Sequence, residues 1–332
     1  MSLPILHFAR MPWPADWAQL FGRVAPLLVD LGFGGGDSLV SLAQENPGAN
    51  VLGIEISLPS LRRGARKLLN CGLSNARVLQ GDSFTSLWLL FQPQSISSVT
   101  INFPDPWPKA RHESRRVINP SFLELLASKM LHNAPLNIAT DHEAYQEAIE
   151  TYLSESPYFK SSTNEPYVLS VENRRQTKYE RIALSEGRIP RYYLWQRNDI
   201  DATSVFPIPE ETAVPHVVFL TSLNLDQLGE RFEPFHVQDG DVHIKYLDMY
   251  RSVERDMLFV EAFVSEEPFP QRIGLGIRGR HTGDLVLSLH EIGFPRPTPG
   301  IHMAVQHLME WLHEQDPDMT IVNSTLADGI EP

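Results

Sequence analysis

Four successive apolar runs in the first half of the chain each finish at or just before a carboxylate. Asn50–Ile56 carries Glu55 near its end, and Asn75–Gln80 runs into Gly81-Asp82. Val99–Phe103 leads through Pro104 to Asp105, and Pro135–Asp141 finishes on Asp141. Runs this short, rich in β-branched residues and bounded by turn formers, read as buried strands. Helical patterns lie between them, over Ser57–Asn70 and from Asn119-Pro120, where proline suits the first helical position. Strands alternating with helices predict an open parallel α/β sheet, whose strand ends share one edge where ligands bind. A single acid at a strand end is commonplace, whereas four in succession mark that edge as a binding site.

One further strand precedes these four. Pro26–Leu31 runs into Gly32-Phe33-Gly34-Gly35-Gly36, and a helix begins at Asp37-Ser38 and continues through Ala43. Strand, glycine turn and helix open a nucleotide-binding domain. A dinucleotide fingerprint would need a third glycine at 37. Asp37 stands there instead, at a helix N-terminus where it would repel a pyrophosphate. The pattern G-x-G-x-G, with Gly32, Gly34 and Gly36, suits close backbone approach by a ligand without phosphates, such as S-adenosylmethionine. Glu55 is then placed to accept the ribose hydroxyls, and Asp82 to accept the adenine amino group.

The stretch Val99–Arg116 carries the densest chemistry. Its prolines at 104, 106 and 108 force the backbone out of the sheet as a stiff extended loop. Asp105 is clamped between two of them, with the flat surface of Trp107 beside it. Lys109, Arg111, His112, Arg115 and Arg116 follow. A rigid acid beside an aromatic, flanked by cations, suits a flat polar ring attached to phosphate. A second basic cluster spans 174–197, where Arg188–Arg197 interleaves cations with aromatics. That pattern fits RNA contact by phosphate pairing and base stacking, or a closing strand with alternating faces.

Charge divides the chain. The net −13 resolves into near neutrality over residues 1–199, with 20 Lys and Arg against 19 Asp and Glu, and 8 against 22 over residues 200–332. The acidic part is therefore a poor candidate for gripping phosphate, and its expected roles are stability, assembly or a protein contact. Prolines at 207, 209 and 215 with Glu210-Glu211 mark a linker over 202–215, giving an expected domain at 1–201 and another at 216–332. The latter shows strand-like runs at 217–220, 242–249, 258–264, 273–277 and 285–289. A helix from Ile301 to about His313 and a short strand from Thr320 follow, so a smaller α+β domain with an antiparallel sheet is expected. His302, His307 and His313 lack helical metal-pair spacing, and the lone Cys71 offers no cysteine cluster, so no metal is expected. No run has membrane-span length and the N-terminus is unlike a signal peptide, which points to a cytoplasmic location.

Residues from about 20 to 197 resemble the bacterial tRNA (guanine-N7-)-methyltransferases, Rossmann-like class I enzymes dependent on S-adenosylmethionine. The resemblance rests on Asp30–Gly36, Leu52–Glu55, Phe103–Lys109 with Arg111-His112 and Arg115-Arg116, Ala139–Asp141 and Thr177–Glu180. It implies that Asp30, where the family more often has glutamate, binds the cofactor together with Glu55 and Asp82. It implies that Asp105 is the active-site acid and that Lys109, Asp141, Thr177, Lys178, Tyr179 and Glu180 meet the tRNA, whose variable-loop guanine is the expected target. The cations at 109–116 are expected to hold neighbouring phosphates. The acidic part is expected to lie outside the shared region. Two other readings stand beside this one. Asn102–Pro106 could be an exocyclic-amine methyltransferase motif, although Asp105 separates prolines that are adjacent in such motifs. The chain could also be a non-catalytic RNA-binding protein that keeps the fold, against which the acids at 55, 82 and 105 argue.

Overall fold

The apolar runs pair as strands wherever burial on both faces rewards them. The structure, a computed structural model, describes residues 3–107, 111, 115–172, 174, 176–202, 206–209, 212–292 and 295–326, with the side chain of Lys178 excepted. Two units divide at Ile208 and Pro209.

In the first unit the elements are β1 (Ile5–His7), α1 (Trp17–Phe21), β2 (Leu27–Leu31), α2 (Asp37–Glu45), β3 (Asn50–Glu55), α3 (Leu58–Asn70), β4 (Ala76–Gln80) and α4 (Ser83–Leu90). They continue with β5 (Ser98–Asn102), α5 (Pro120–Lys129), β6 (Pro135–Thr140), α6 (Glu143–Glu155), β7 (Phe159–Ser161), α7 (Lys178–Ser185) and β8 (Arg191–Arg197). Among the described residues the sheet runs β1-β4-β3-β2-β5-β6-β8-β7. Strands β1 to β6 are mutually parallel where they pair; β8 is antiparallel to β6, and β7 to β8. This is the Rossmann-like class I arrangement that the resemblance implied. The chain leaves β2 toward β3 on one side and later returns to pair β5 on the other. A topological switch point therefore opens above the C-terminal ends of β2 and β5.

Arg188–Arg197 resolves as the closing strand. Tyr192, Tyr193 and Trp195 are buried, and Arg197, 1% exposed, donates to the Ala127 and Ile200 carbonyls. The aromatics of this stretch and Arg197 are therefore packed as core, while Arg188 stays exposed and pairs with Asp141 and Glu186. Part of the expected linker is packed as well. Phe206 lies edge-on to Trp88, with centroids 4.9 Å apart, and the indole Nε1 donates to the Pro207 carbonyl at 2.7 Å. The reading of Glu210-Glu211 as linker falls outside the described residues.

The second unit comprises β9 (His216–Leu220), α8 (Leu225–Glu230), β10 (Phe235–Asp239), β11 (Val242–Arg251), β12 (Met257–Ser265), β13 (Gln271–Gly279), β14 (Leu285–Leu289), α9 (Pro299–Gln315) and β15 (Thr320–Ser324). Its described strands form an antiparallel sheet in the order β10-β11-β12-β13-β14-β9-β15. Ile301, Val305, Leu308 and Leu312 of α9 join Ile244, Val260, Ala262 and Leu275 of the sheet in one core. The expected α+β domain is present, with β10 and α8 added to it.

Candidate active site

The glycine turn owes its shape to close packing. Gly36 has φ +84°, and a Cβ there would meet Gly64 Cα of α3 at 2.7 Å. A Cβ on Gly53 of β3 or on Gly64 would strike the Phe33 ring at 2.5 and 2.4 Å. Phe33 thus plugs the loop onto β3 and α3, leaving Gly32, Gly34 and Gly36, all at positive φ, as the backbone of the turn.

Asp30 stands in β2 one residue before its end, registered against Gly53 on one side and Thr100 on the other. It is 0% exposed, and neither carboxylate oxygen has a hydrogen-bond partner. Burial pushes its pKa up from 3.8 to about 7; Glu55 adds to the rise, while the Ser38 hydroxyl and Arg174 oppose it. A buried acid with only the neighbouring Ser38 hydroxyl and the Arg174 charge to offset its burial, beside an open glycine loop, is a place for a cationic group.

Glu55 ends β3. Its Oε2 accepts from Gly34 N at 2.9 Å and its Oε1 from Ser57 N at 2.8 Å, so the carboxylate is fixed and each oxygen keeps a lone pair. Asp82 is exposed and caps α4, with Oδ1 accepting from Thr85 N at 2.9 Å. That leaves Oδ2 for a ligand.

The loop after β5 is strained. Phe103 and Trp107 have φ of +49° and +41°, a region costly for side chains of that size. Asp105 lies exposed between them. Arg115 stacks over the Trp107 ring at 5.0 Å and stays exposed. Arg116 behaves differently from the expectation that it grips phosphate. It is 6% exposed, donates from Nε to the Pro106 carbonyl at 2.8 Å and lies 5.2 Å over the Tyr145 ring. It braces the loop from beneath. Lys109 and His112 lie outside the described residues.

The tetrad Thr177–Glu180 divides likewise. Thr177 and Glu180 are buried and form a capping box at the start of α7. Glu180 also accepts from Tyr192 Oη at 2.7 Å and Arg174 Nε at 3.4 Å. Neither side chain faces outward to meet a substrate, contrary to expectation. Tyr179 does: it is 54% exposed, and its ring edge lies 3.4 Å from where a Cβ on Gly34 would stand. Asp141 is held by Arg188, which also pairs with Glu186 at 2.5 Å.

Three residues outside the expected set of site residues, Ser38, Asn102 and Arg174, link these parts. Arg174 Nη2 donates to Asn102 Oδ1 at 2.5 Å, and Asn102 Nδ2 donates to Ser38 Oγ at 2.7 Å. The chain Ser38–Asn102–Arg174–Glu180 thereby joins α2, the end of β5 and α7. In the sequence Asn102 stands only as the head of the Asn102–Pro106 motif, with nothing to tie it to Ser38 or Arg174.

Comparisons with known proteins differ in how far along the chain they reach. A family model described as a putative methyltransferase matches residues 24–190. A tRNA (guanine-N(7)-)-methyltransferase of Thermotoga maritima is 31% identical over 304 residues, 91% of this chain and 94% of that protein. Its counterpart from Deinococcus radiodurans is 29% identical over 94% of this chain and 97% of its own length. One from Klebsiella pneumoniae is 39% identical over 178 residues, 53% of this chain and 74% of that protein. The first two similarities run into the acidic unit, which corrects the expectation that this unit lies outside the shared region.

Proposed function

Because the chain belongs to the tRNA (guanine-N7-)-methyltransferase family and is an S-adenosylmethionine-dependent enzyme of that activity, we propose how its residues divide the work. The observation that carries the assignment is Asp30, buried beside the glycine turn at the switch point with only the Ser38 hydroxyl and the Arg174 charge to offset its burial. In this reading Asp30 meets the ammonium group of the cofactor, Glu55 the ribose hydroxyls and Asp82 the adenine amino group. Gly32, Gly34 and Gly36 allow close backbone approach. Bound there, S-adenosylmethionine supplies a methyl group made electrophilic by its sulfonium.

The guanine N7 lone pair lies in the ring plane and needs no deprotonation before it attacks. The protein's task is then alignment and stabilisation of the charge that develops on the purine. Asp105 accepts a guanine N–H and favours that positive charge; it is not a general base. The strained backbone at Phe103 and Trp107 fixes its direction, and Arg116 holds the loop from below. Ser38, Asn102 and Arg174 hold the strand end in register with the glycine turn, so donor and acceptor share one frame. Arg115, with Lys109, takes phosphates flanking the target guanine, in the variable loop on this reading. Tyr179 and Lys178 take their neighbours, and Asp141 orients Arg188 at the rim.

Incubation with methyl-labelled S-adenosylmethionine and unmodified tRNA, followed by nucleoside analysis, tests the assignment. Label in 7-methylguanosine supports it. Label in an exocyclic-amine product, or binding of tRNA without transfer, overturns it.

A further inference from the structure

Most arginines near the first unit's ligand-binding edge are engaged within the fold. Arg116 bonds Pro106, Arg174 bonds Asn102 and Glu180, Arg188 pairs with Asp141 and Glu186, and Arg191 pairs with Glu150. Helix α3 differs. Its sequence, Leu58–Asn70, contains Arg62, Arg63, Arg66 and Lys67 and no acid. Leu61, Gly64, Ala65 and Leu68 are buried, so the helical period turns the cations outward. Arg62 lies one turn below Arg66, and Arg63 one turn below Lys67. Like charges at that spacing oppose each other and weaken the helix.

Two of the four have local partners. Lys67 Nζ pairs with Asp37 Oδ1 at 2.5 Å, and Arg63 Nη2 donates to Ser60 Oγ at 2.9 Å. Arg62 and Arg66 are exposed, and no described residue pairs with either. This uncompensated charge sits in a chain whose net charge is −13. It also begins at the functional edge. Ser57, the residue before α3, donates its N–H to Glu55, and Gly64 packs against the glycine turn. Arg62 and Arg66 are separated by about 6 Å along the helix axis, the scale on which backbone phosphates follow one another. Their planar forks suit phosphate oxygens.

We propose that Arg62, Arg63 and Arg66 on the outer face of α3 form a second phosphate-gripping surface, which holds the tRNA backbone at a distance from the target guanine. The proposal rests on tRNA being the substrate. It makes recognition depend on the shape of the whole tRNA, since the α3 surface and the Asp105 loop engage separate parts of one backbone.

The test uses the full chain carrying R62Q/R63Q/R66Q, in which glutamine preserves helix propensity. With native-like melting, the variant should show a salt dependence of tRNA binding shallower by roughly two to three in log–log slope. Its KM for tRNA should rise by roughly tenfold at physiological salt, with kcat at saturating tRNA and the cofactor affinity unchanged. The charge-keeping R62K/R63K/R66K should retain most of the slope, and if the triple glutamine variant fails to fold, the single variants R62Q and R66Q at exposed positions stand in: a slope lowered by about one in each supports the surface, and an unchanged slope in both overturns it. Unchanged slope and KM in a glutamine variant whose parent binds and methylates tRNA would overturn the proposal alone. So would a change confined to self-association, which would assign the face to a second copy. If the parent neither binds nor methylates tRNA, the substrate reading falls and takes this proposal with it.

Discussion

Replacing Asp30 by asparagine should remove the pH dependence of cofactor binding. The carboxyl is fully buried and its pKa in the folded protein is about 7, against 3.8 when unperturbed. If the cofactor's ammonium binds the ionised form, affinity follows the ionised fraction. That fraction is about 1% at pH 5 and half at pH 7, so affinity should improve roughly 50-fold over the interval. Above about pH 8 the ammonium itself loses its proton, and affinity should fall again. Titration calorimetry of S-adenosylmethionine at half-unit steps gives the profile. The asparagine variant should bind weakly and with no slope between pH 5 and 7.

The same shift sets the stability of the ligand-free protein. A carboxyl with a raised folded pKa contributes its stability fully below the unfolded value and loses it as pH rises through the folded value. Wild type should therefore weaken relative to Asp30→Asn between about pH 4 and 7, by on the order of 4 kcal/mol, and run parallel to it above. A flat wild-type affinity profile from pH 5 to 7, or an identical slope in the variant, would refute the assignment of Asp30.

Asp105→Asn should fold and bind cofactor but lose turnover on the order of 100- to 1,000-fold, as steady-state kinetics would show. The adjacent arginines should separate. Arg115→Gln should lower the salt slope of tRNA binding by about one. Arg116→Gln should leave that slope alone and lower kcat, because it removes a buried bond worth roughly 1.5–3 kcal/mol to the loop. Phe206→Ala should destabilise the first unit by about 3–5 kcal/mol, measured by denaturant unfolding. For the same reason a fragment cut after Ile208 should outlast one cut after Ala202.

The strands that carry the site were legible because each is a buried apolar run closed by an acid and a turn. Their shared direction also followed, since strands joined by helical crossovers lie parallel with their ends at one edge, whereas their order in the sheet came from the structure. Short elements were missed for lack of periodicity. Strands β1 and β7 have three residues each. Strand β10 did leave a signal, the Gly240-Asp241 turn into β11, where Gly240 has φ +55°. What sequence does not reveal is which of two similar residues faces inward. Arg115 and Arg116 are neighbours of identical type, yet one lies on Trp107 in the open and the other under Pro106. Thr177 and Glu180 read as part of a contact motif, while their spacing is also that of a capping box, which is the use made of them. The Ser38–Asn102–Arg174 link joins residues far apart in the chain and needs the folded structure to be seen.

The central claim is that one sheet edge, with Asp105 at its tip, delivers a methyl group to guanine N7 of tRNA. Its most direct measurement is product stoichiometry from wild type and Asp105→Asn under identical conditions, with methyl-labelled S-adenosylmethionine and unmodified tRNA. Wild type should place label in 7-methylguanosine at close to one per tRNA, and the variant should place almost none while binding both substrates. Label in any other nucleoside, or equal yields from the two proteins, would contradict the account.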